Sequence, residues 1–289
     1  MPSNDRLDHA VINVKHDMDG AVRLFKKLGF SLTPRGFHSH GSINHLMIFG
    51  SDYLELIGIP ENKTIERQDL MKAPIGINGL VLKADDINEI YTRIVAAGFD
   101  GDPPKGFYRP IKIQGEQKDA KFQTVTVRDD VFPGGRVYYC QHDTPELVWR
   151  PEWQKHPNGV TSVTEFVTVA QAPKREAERF AALLNTGVNI HDNGAFCLNL
   201  ESCHLTVLDP KQYAFRYEDL ASSLEDRESI FGAVVFATDS LPALNEILED
   251  TDDITTIRHP GRTIVRVTAY NTVLEFIDVE LVKTTITDK

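Results

Sequence analysis

The chain has 289 residues, 41% of them hydrophobic and 25% charged, with a net charge of −11. That length exceeds one ordinary core, and at about 150 residues per domain it predicts two domains. An acidic balance without a basic cluster argues against nucleic acid and anionic membrane as partners. No apolar run approaches the ~20 residues of a membrane span. Residues 1–6 lack the apolar core of a signal peptide, and Cys140, Cys197 and Cys203 lack disulfide or zinc spacing, so the cytoplasm is the expected compartment.

In chain order, residues 7–14 read as a strand and 18–28 as an amphipathic helix closed by Gly29-Phe30. Residues 42–49 and 53–59 read as two further strands joined by a three-residue hairpin turn, Gly50-Ser51-Asp52. A polar connector, 62–73, leads to a second opening strand at 77–85 and a helix at 87–97, again ended by glycine, Gly98. Residues 102–120, with Pro103-Pro104 and several charges, read as an inserted loop, either a lid or a solvated excursion. The last strand of this unit reads from Arg136 to Asp143. The turn-rich stretch 151–159 divides the chain. Beyond it the same order recurs: strand 163–170 with helix 174–184, then strand 231–238 with helix 241–249, joined by a charged, aromatic segment at 211–229. Four copies of one strand-helix-strands phrase predict an α+β fold of four βαβββ units, paired as 1–156 and 157–289.

Within this pattern, His9 and Glu55 lie in strands of the first copy. A carboxylate in so apolar a strand is costly to bury unless it is paired or bound to a metal. The alternatives are an edge strand with Glu55 facing water, or an ion pair of Glu55 with Arg35. A three-residue hairpin puts His45 on the face of Glu55, one diagonal step away, either as a third ligand or as a polar wall residue that contacts substrate. Whichever of Glu55 and His45 is free of metal can shuttle a proton. Two imidazoles and a carboxylate form a facial set suited to iron(II), manganese or zinc. Phosphate-loop, dinucleotide, Gly-x-Ser-x-Gly and His-Glu-x-x-His signatures are absent from the sequence.

The repeated unit, together with Leu7-Asp8-His9-Ala10-Val11, Leu28-Gly29-Phe30, Thr33-Pro34-Arg35-Gly36 and Tyr53-Leu54-Glu55-Leu56, resembles the glyoxalase-like domain proteins of the vicinal oxygen chelate superfamily. The resemblance implies two cup-shaped mixed sheets with helices outside. It also implies a divalent metal (Fe, Mn, Zn or Ni) that chelates adjacent oxygens of a small substrate, in a lyase, isomerase or dioxygenase. His9 and Glu55 occupy ligand positions of that family. In the second copy the position matching His9 is Gly79, and Cys140 and Gln141 stand near the position matching Glu55, leaving His142 as the remaining candidate ligand. The second pair matches with Glu165 and Ala233 at the His9 positions, and Glu275 alone echoes Glu55, so it reads as structural. A metal-free cup that sequesters a small molecule is the competing reading, favoured by Gly79. Paired cups also lead us to expect a homodimer, although four units in one chain can supply internally what a dimer would.

Overall fold

The computed structural model describes residues 5–61 and 67–280; residues 62–66 of the expected connector lie outside them. The first half runs β1 (Leu7–Lys15), α1 (Met18–Lys27), β2 (Gly36–Phe37), β3 (Ile43–Ile48), β4 (Tyr53–Gly58), α2 (Gln68–Lys72), β5 (Gly76–Lys83), α3 (Ile87–Ala96), β6 (Lys105–Ile113), β7 (Glu116–Thr126) and β8 (Arg136–His142). Its strands form one eight-stranded sheet in the order β2-β3-β4-β1-β5-β8-β7-β6. The second half repeats the plan with β9 (Val160–Ala170), α4 (Pro173–Leu184), β10 (Asn189–Ile190), β11 (Phe196–Asn199), β12 (His204–Leu208), α5 (Pro210–Tyr217), β13 (Ser229–Thr238), α6 (Leu241–Ile247), β14 (Ile254–His259), β15 (Arg262–Val267) and β16 (Thr272–Asp278). Its order is β10-β11-β12-β9-β13-β16-β15-β14. Among the described residues, no helix is long and apolar enough to cross a membrane.

Helix α1 forms because its apolar positions recur on one face, burying Met18, Ala21, Leu24 and Phe25, and because the Asp17 carboxylate accepts from the Gly20 N–H at its start. It stops at Gly29, whose φ of +78° suits glycine. There Phe30 N–H donates to Phe25 O and Gly29 N–H to Lys26 O, satisfying the last carbonyls. Helix α3 ends the same way at Gly98.

Strand β1 is buried along nearly its whole length because it separates two cores. Ala10, Ile12 and Val14 pack on the helix side, in a core that continues into the second half through Phe166 and Phe236. Val11 faces a separate cluster inside the first cup, with Leu46, Tyr53, Val81 and Cys140. The sheet curls until its edges meet: Ser39 N–H donates to Tyr108 O at 2.9 Å, and Tyr108 N–H to Ser39 Oγ at 3.2 Å. That closure surrounds the cup interior.

Two expectations are corrected. Residues 102–120 are not a loop: most of the segment builds the β6–β7 hairpin, paired from Lys105↔Thr124 to Ile113↔Glu116. Its two-residue turn, Gln114-Gly115, takes φ of +52° and +88°, which matches strand twist. Its charges belong to an exposed hairpin tip, which reads as a loop from composition alone. The turn between β3 and β4 is also longer than expected. Ile48 pairs with Tyr53, leaving four turn residues, and Phe49 N–H donates to Asp52 O. Asp52 is fixed from outside this sheet, because its carboxylate accepts from Val163 N–H of β9 at 2.9 Å.

Candidate functional site

His9 and Glu55 meet inside the first cup. Parallel pairing of β1 with β4 sets Val11 opposite Glu55 and His9 opposite Tyr53, and His9 Nε2 stands 3.5 Å from Glu55 Oε2. The ring lies flat on Tyr53, with centroids 4.2 Å apart. Between Leu7 and His9 the β1–β5 register slips by one residue, a bulge at Asp8. Two consecutive side chains thereby reach the interior, and His9 Nδ1 bonds Asp8 Oδ2 at 2.7 Å.

The electrostatics follow from burial. Burial disfavours the His9 cation, yet hydrogen bonds to Asp8 and Glu55 outweigh it and raise the pKa. Burial likewise pushes Glu55 up, but the hydrogen bond and charge of His9 bring it down to about 2. Asp8 is opposed by burial and held far below the usual range by the charge and hydrogen bond of His142 and by its bond to His9.

His45 is not part of this group. With Ile48 opposite Tyr53, Leu46 lies opposite Glu55 and Asn44 opposite Ile57, so the side chain on the Glu55 face is Asn44. His45 projects to the helix side, where Nδ1 bonds Thr33 O at 2.7 Å and Arg35 Nε reaches Nε2 at 3.3 Å. Asn44 Nδ2 donates to Glu55 Oε1 at 2.6 Å, and His38 Nε2 lies 3.1 Å from the same nitrogen. Burial pushes His38 down to about 3, which keeps its ring neutral.

The second copy contributes differently from expectation. Val81 pairs with Tyr138 as Val11 pairs with Glu55, so Tyr138 is the counterpart of Glu55. Its hydroxyl lies 3.4 Å from His9 Nε2. His142 stands four residues farther along β8 and bonds Asp8 Oδ2 at 3.1 Å rather than joining Glu55. Asp8, Cys140 and His142 bring one ligand atom each within 4.8 Å of one another. That carboxylate is already shared by two histidines, and burial pushes the Cys140 thiol well up, which keeps it a thiol. Gly79 is held bare, because a Cβ there would stand 2.8 Å from Val11 Cβ.

Asp8, Asn44 and Tyr138 were missed from sequence. Tyr138 was reachable by counting from the opening strand of the second copy. The Asp8 bulge and the Asn44 face depend on register, which no local pattern reports.

The family profile described as Glyoxalase-like domain matches residues 7–184, more than half of the chain. The chain belongs to the glyoxalase-like domain family. No curated protein matches the sequence. Among solved structures, a hypothetical protein from Staphylococcus aureus is similar with a TM-score of 0.64 and 13% identity, over 95% of this chain and 100% of that one. A variant of 4-hydroxymandelate synthase from Streptomyces coelicolor is similar at a TM-score of 0.55 and 14% identity, over 96% of this chain and 93% of that one. A xylose isomerase-like TIM barrel/4-hydroxyphenylpyruvate dioxygenase fusion protein gives 0.57 and 11%, over 96% of this chain and 50% of that one. These likenesses show the fold that this chain shares with them.

In this glyoxalase-like protein the first cup suits a divalent ion at one point. Two ligands that share an ion at ~2.1 Å each sit about 3–3.5 Å apart, as His9 Nε2 and Glu55 Oε2 do at 3.5 Å. A carboxylate on the far nitrogen, here Asp8, is the usual outer support of a metal-binding histidine. The second cup of the glyoxalase-like fold fills its corresponding point with its own chain. Val235 pairs with Glu275, which makes Glu275 a counterpart of Glu55, and β9 places Glu165 at the His9 position. Arg216 of α5 lies between them, donating to both Glu165 oxygens at 2.8 and 2.7 Å and to Glu275 Oε2 at 2.9 Å.

Proposed function

We propose that the first cup is a metal-dependent active site of the vicinal oxygen chelate type, a lyase, isomerase or dioxygenase acting on a small oxygen-rich molecule. The observation that supports it is the His9–Glu55 pair at 3.5 Å, backed by Asp8. Bound there, iron, manganese, zinc or nickel would act as a Lewis acid toward two adjacent substrate oxygens. The chain's own residues prepare the point. Asp8 accepts the Nδ1 proton and leaves Nε2 as the coordinating nitrogen. Asn44 occupies Glu55 Oε1, so that Oε2 faces His9. Burial pushes Tyr138 far up, so its phenol keeps a proton to donate near His9 Nε2. Tyr53 stacks on the His9 ring, and His9 and Glu55 are both buried.

Protein purified without a nickel column is expected to carry about one divalent ion per chain, with the ion lost in His9→Ala and Glu55→Gln. Elemental analysis that finds native protein empty, and no uptake when manganese, iron or zinc is supplied, would falsify this reading. A second reading is a metal-free cup that binds or sequesters a small molecule. It is favoured by the closed corner at Gly79, since a Cβ there meets Val11, and by the hydrogen bonds to Asp8 and Glu55 that raise the His9 pKa against burial and so favour its proton over an ion. An empty native protein that still binds small molecules in the cup supports it.

A further inference from the structure

Strand β6 carries a buried charge that the site described so far does not use. Arg109 is 2% exposed, and its guanidinium makes one hydrogen bond among the described residues, from Nη1 to Asn44 Oδ1 at 3.4 Å. Nε and Nη2 are buried without a partner among those residues. Folded proteins leave buried charges unpaired only rarely, because desolvation is costly. The two open nitrogens share one edge of the planar group, the edge that offers two parallel N–H bonds to a carboxylate.

The surroundings fix where that edge lies. Asn44 links Arg109 to the His9–Glu55 pair, accepting from the guanidinium on one side and donating to Glu55 Oε1 at 2.6 Å on the other. Gly36 leaves room for the arginine, since a Cβ there would stand 2.3 Å from Arg109 Cδ. Phe107 and Phe122 stack with centroids 5.0 Å apart and line the same interior.

We propose that Arg109 anchors a carboxylate of the substrate on its Nε–Nη2 edge, so that the cup takes small carboxylic acids whose other end reaches the His9–Glu55 pair. This rests on the reading of the first cup as the site of a small oxygen-rich substrate, and it names the class. Arg109 is then a specificity-determining residue.

Benzoate and benzamide, matched in size and different in charge, test it. Titrated by calorimetry into the full chain in EDTA, benzoate is expected to bind at least about tenfold tighter than benzamide. Arg109→Gln should abolish that preference, bringing the benzoate-to-benzamide affinity ratio to about one. Arg109→Lys, which keeps the charge and loses the paired edge, should retain only part of it. Circular dichroism of each variant checks folding. If the glutamine variant does not fold, the native protein and the lysine variant still decide. Equal affinity of the native protein for the two probes, or an undiminished benzoate preference in either variant, overturns the proposal. Chelated protein keeps this result separate from the metal question, and the metal content of Arg109→Gln reads that question independently.

Discussion

His9 is held at both nitrogens, by Asp8 on one side and Glu55 on the other, and its flat contact with Tyr53 removes the remaining rotation. A side chain so constrained presents one atom, Nε2, in one direction. A different acid in the same half of the molecule has the opposite character. Burial pushes Asp52 up to about 7, against the hydrogen bond from Val163 N–H and the charge of Lys83. A carboxyl that titrates higher folded than unfolded supports the fold while protonated. That contribution is whole below about pH 4 and is lost as the pH rises to 7. Asp52→Asn keeps an oxygen for the Val163 N–H and removes the charge. It is expected to be more stable than the native chain by roughly 1–3 kcal/mol at pH 8, with the gain fading toward pH 4. Urea unfolding at both pH values measures it, and a gain that does not change with pH contradicts it.

At the level of strands and turns, close approach decides what each position tolerates. Position 79 lies against Val11 across the β1–β5 ladder, and an added Cβ would stand 2.8 Å from Val11 Cβ. Gly79→Ala is expected to destabilise the first half by about 1–3 kcal/mol; a midpoint in urea equal to that of the native chain would show that β1 gives way easily. The repeat itself was legible, because β1, α1, β5 and α3 each carry their own apolar spacing and both helices stop at a glycine, Gly29 and Gly98. His9 and Glu55 were legible as a pair because a polar group inside an apolar strand stands out. The face of His45 was not legible. Asp52 of this turn bonds to β9, more than a hundred residues away, which no local pattern reports, and one added turn residue exchanged His45 for Asn44. The β6–β7 hairpin was hidden for a related reason: its strands are polar where they leave the sheet, so alternation fails where pairing persists.

Across the whole molecule, the two halves share a topology and differ in what stands at the centre of each cup. In the second, Glu165, Glu275, Arg216 and Arg262 form one ionic group, with Arg262 Nη1 donating to Glu275 Oε1 at 3.1 Å. Tyr213 and Tyr217 of the same helix fill the space around it. The segment that the sequence presents as a charged, aromatic link, 211–229, supplies Arg216, Tyr213 and Tyr217 to this group. Arg216→Gln takes the charge partner from the partly exposed Glu165 and leaves the buried Glu275 with Arg262 alone, and a loss of roughly 1–3 kcal/mol is expected. Thermal unfolding checks the direction: a variant as stable as the native chain would mean that water already reaches those carboxylates.

A guanidinium tethered by its own backbone cannot be dialysed away, stripped by a chelator or exchanged for a competing solute. The half of the chain that carries Arg216 thus brings the counter-charge for Glu165 and Glu275 with it, and its folding should need no added divalent ion.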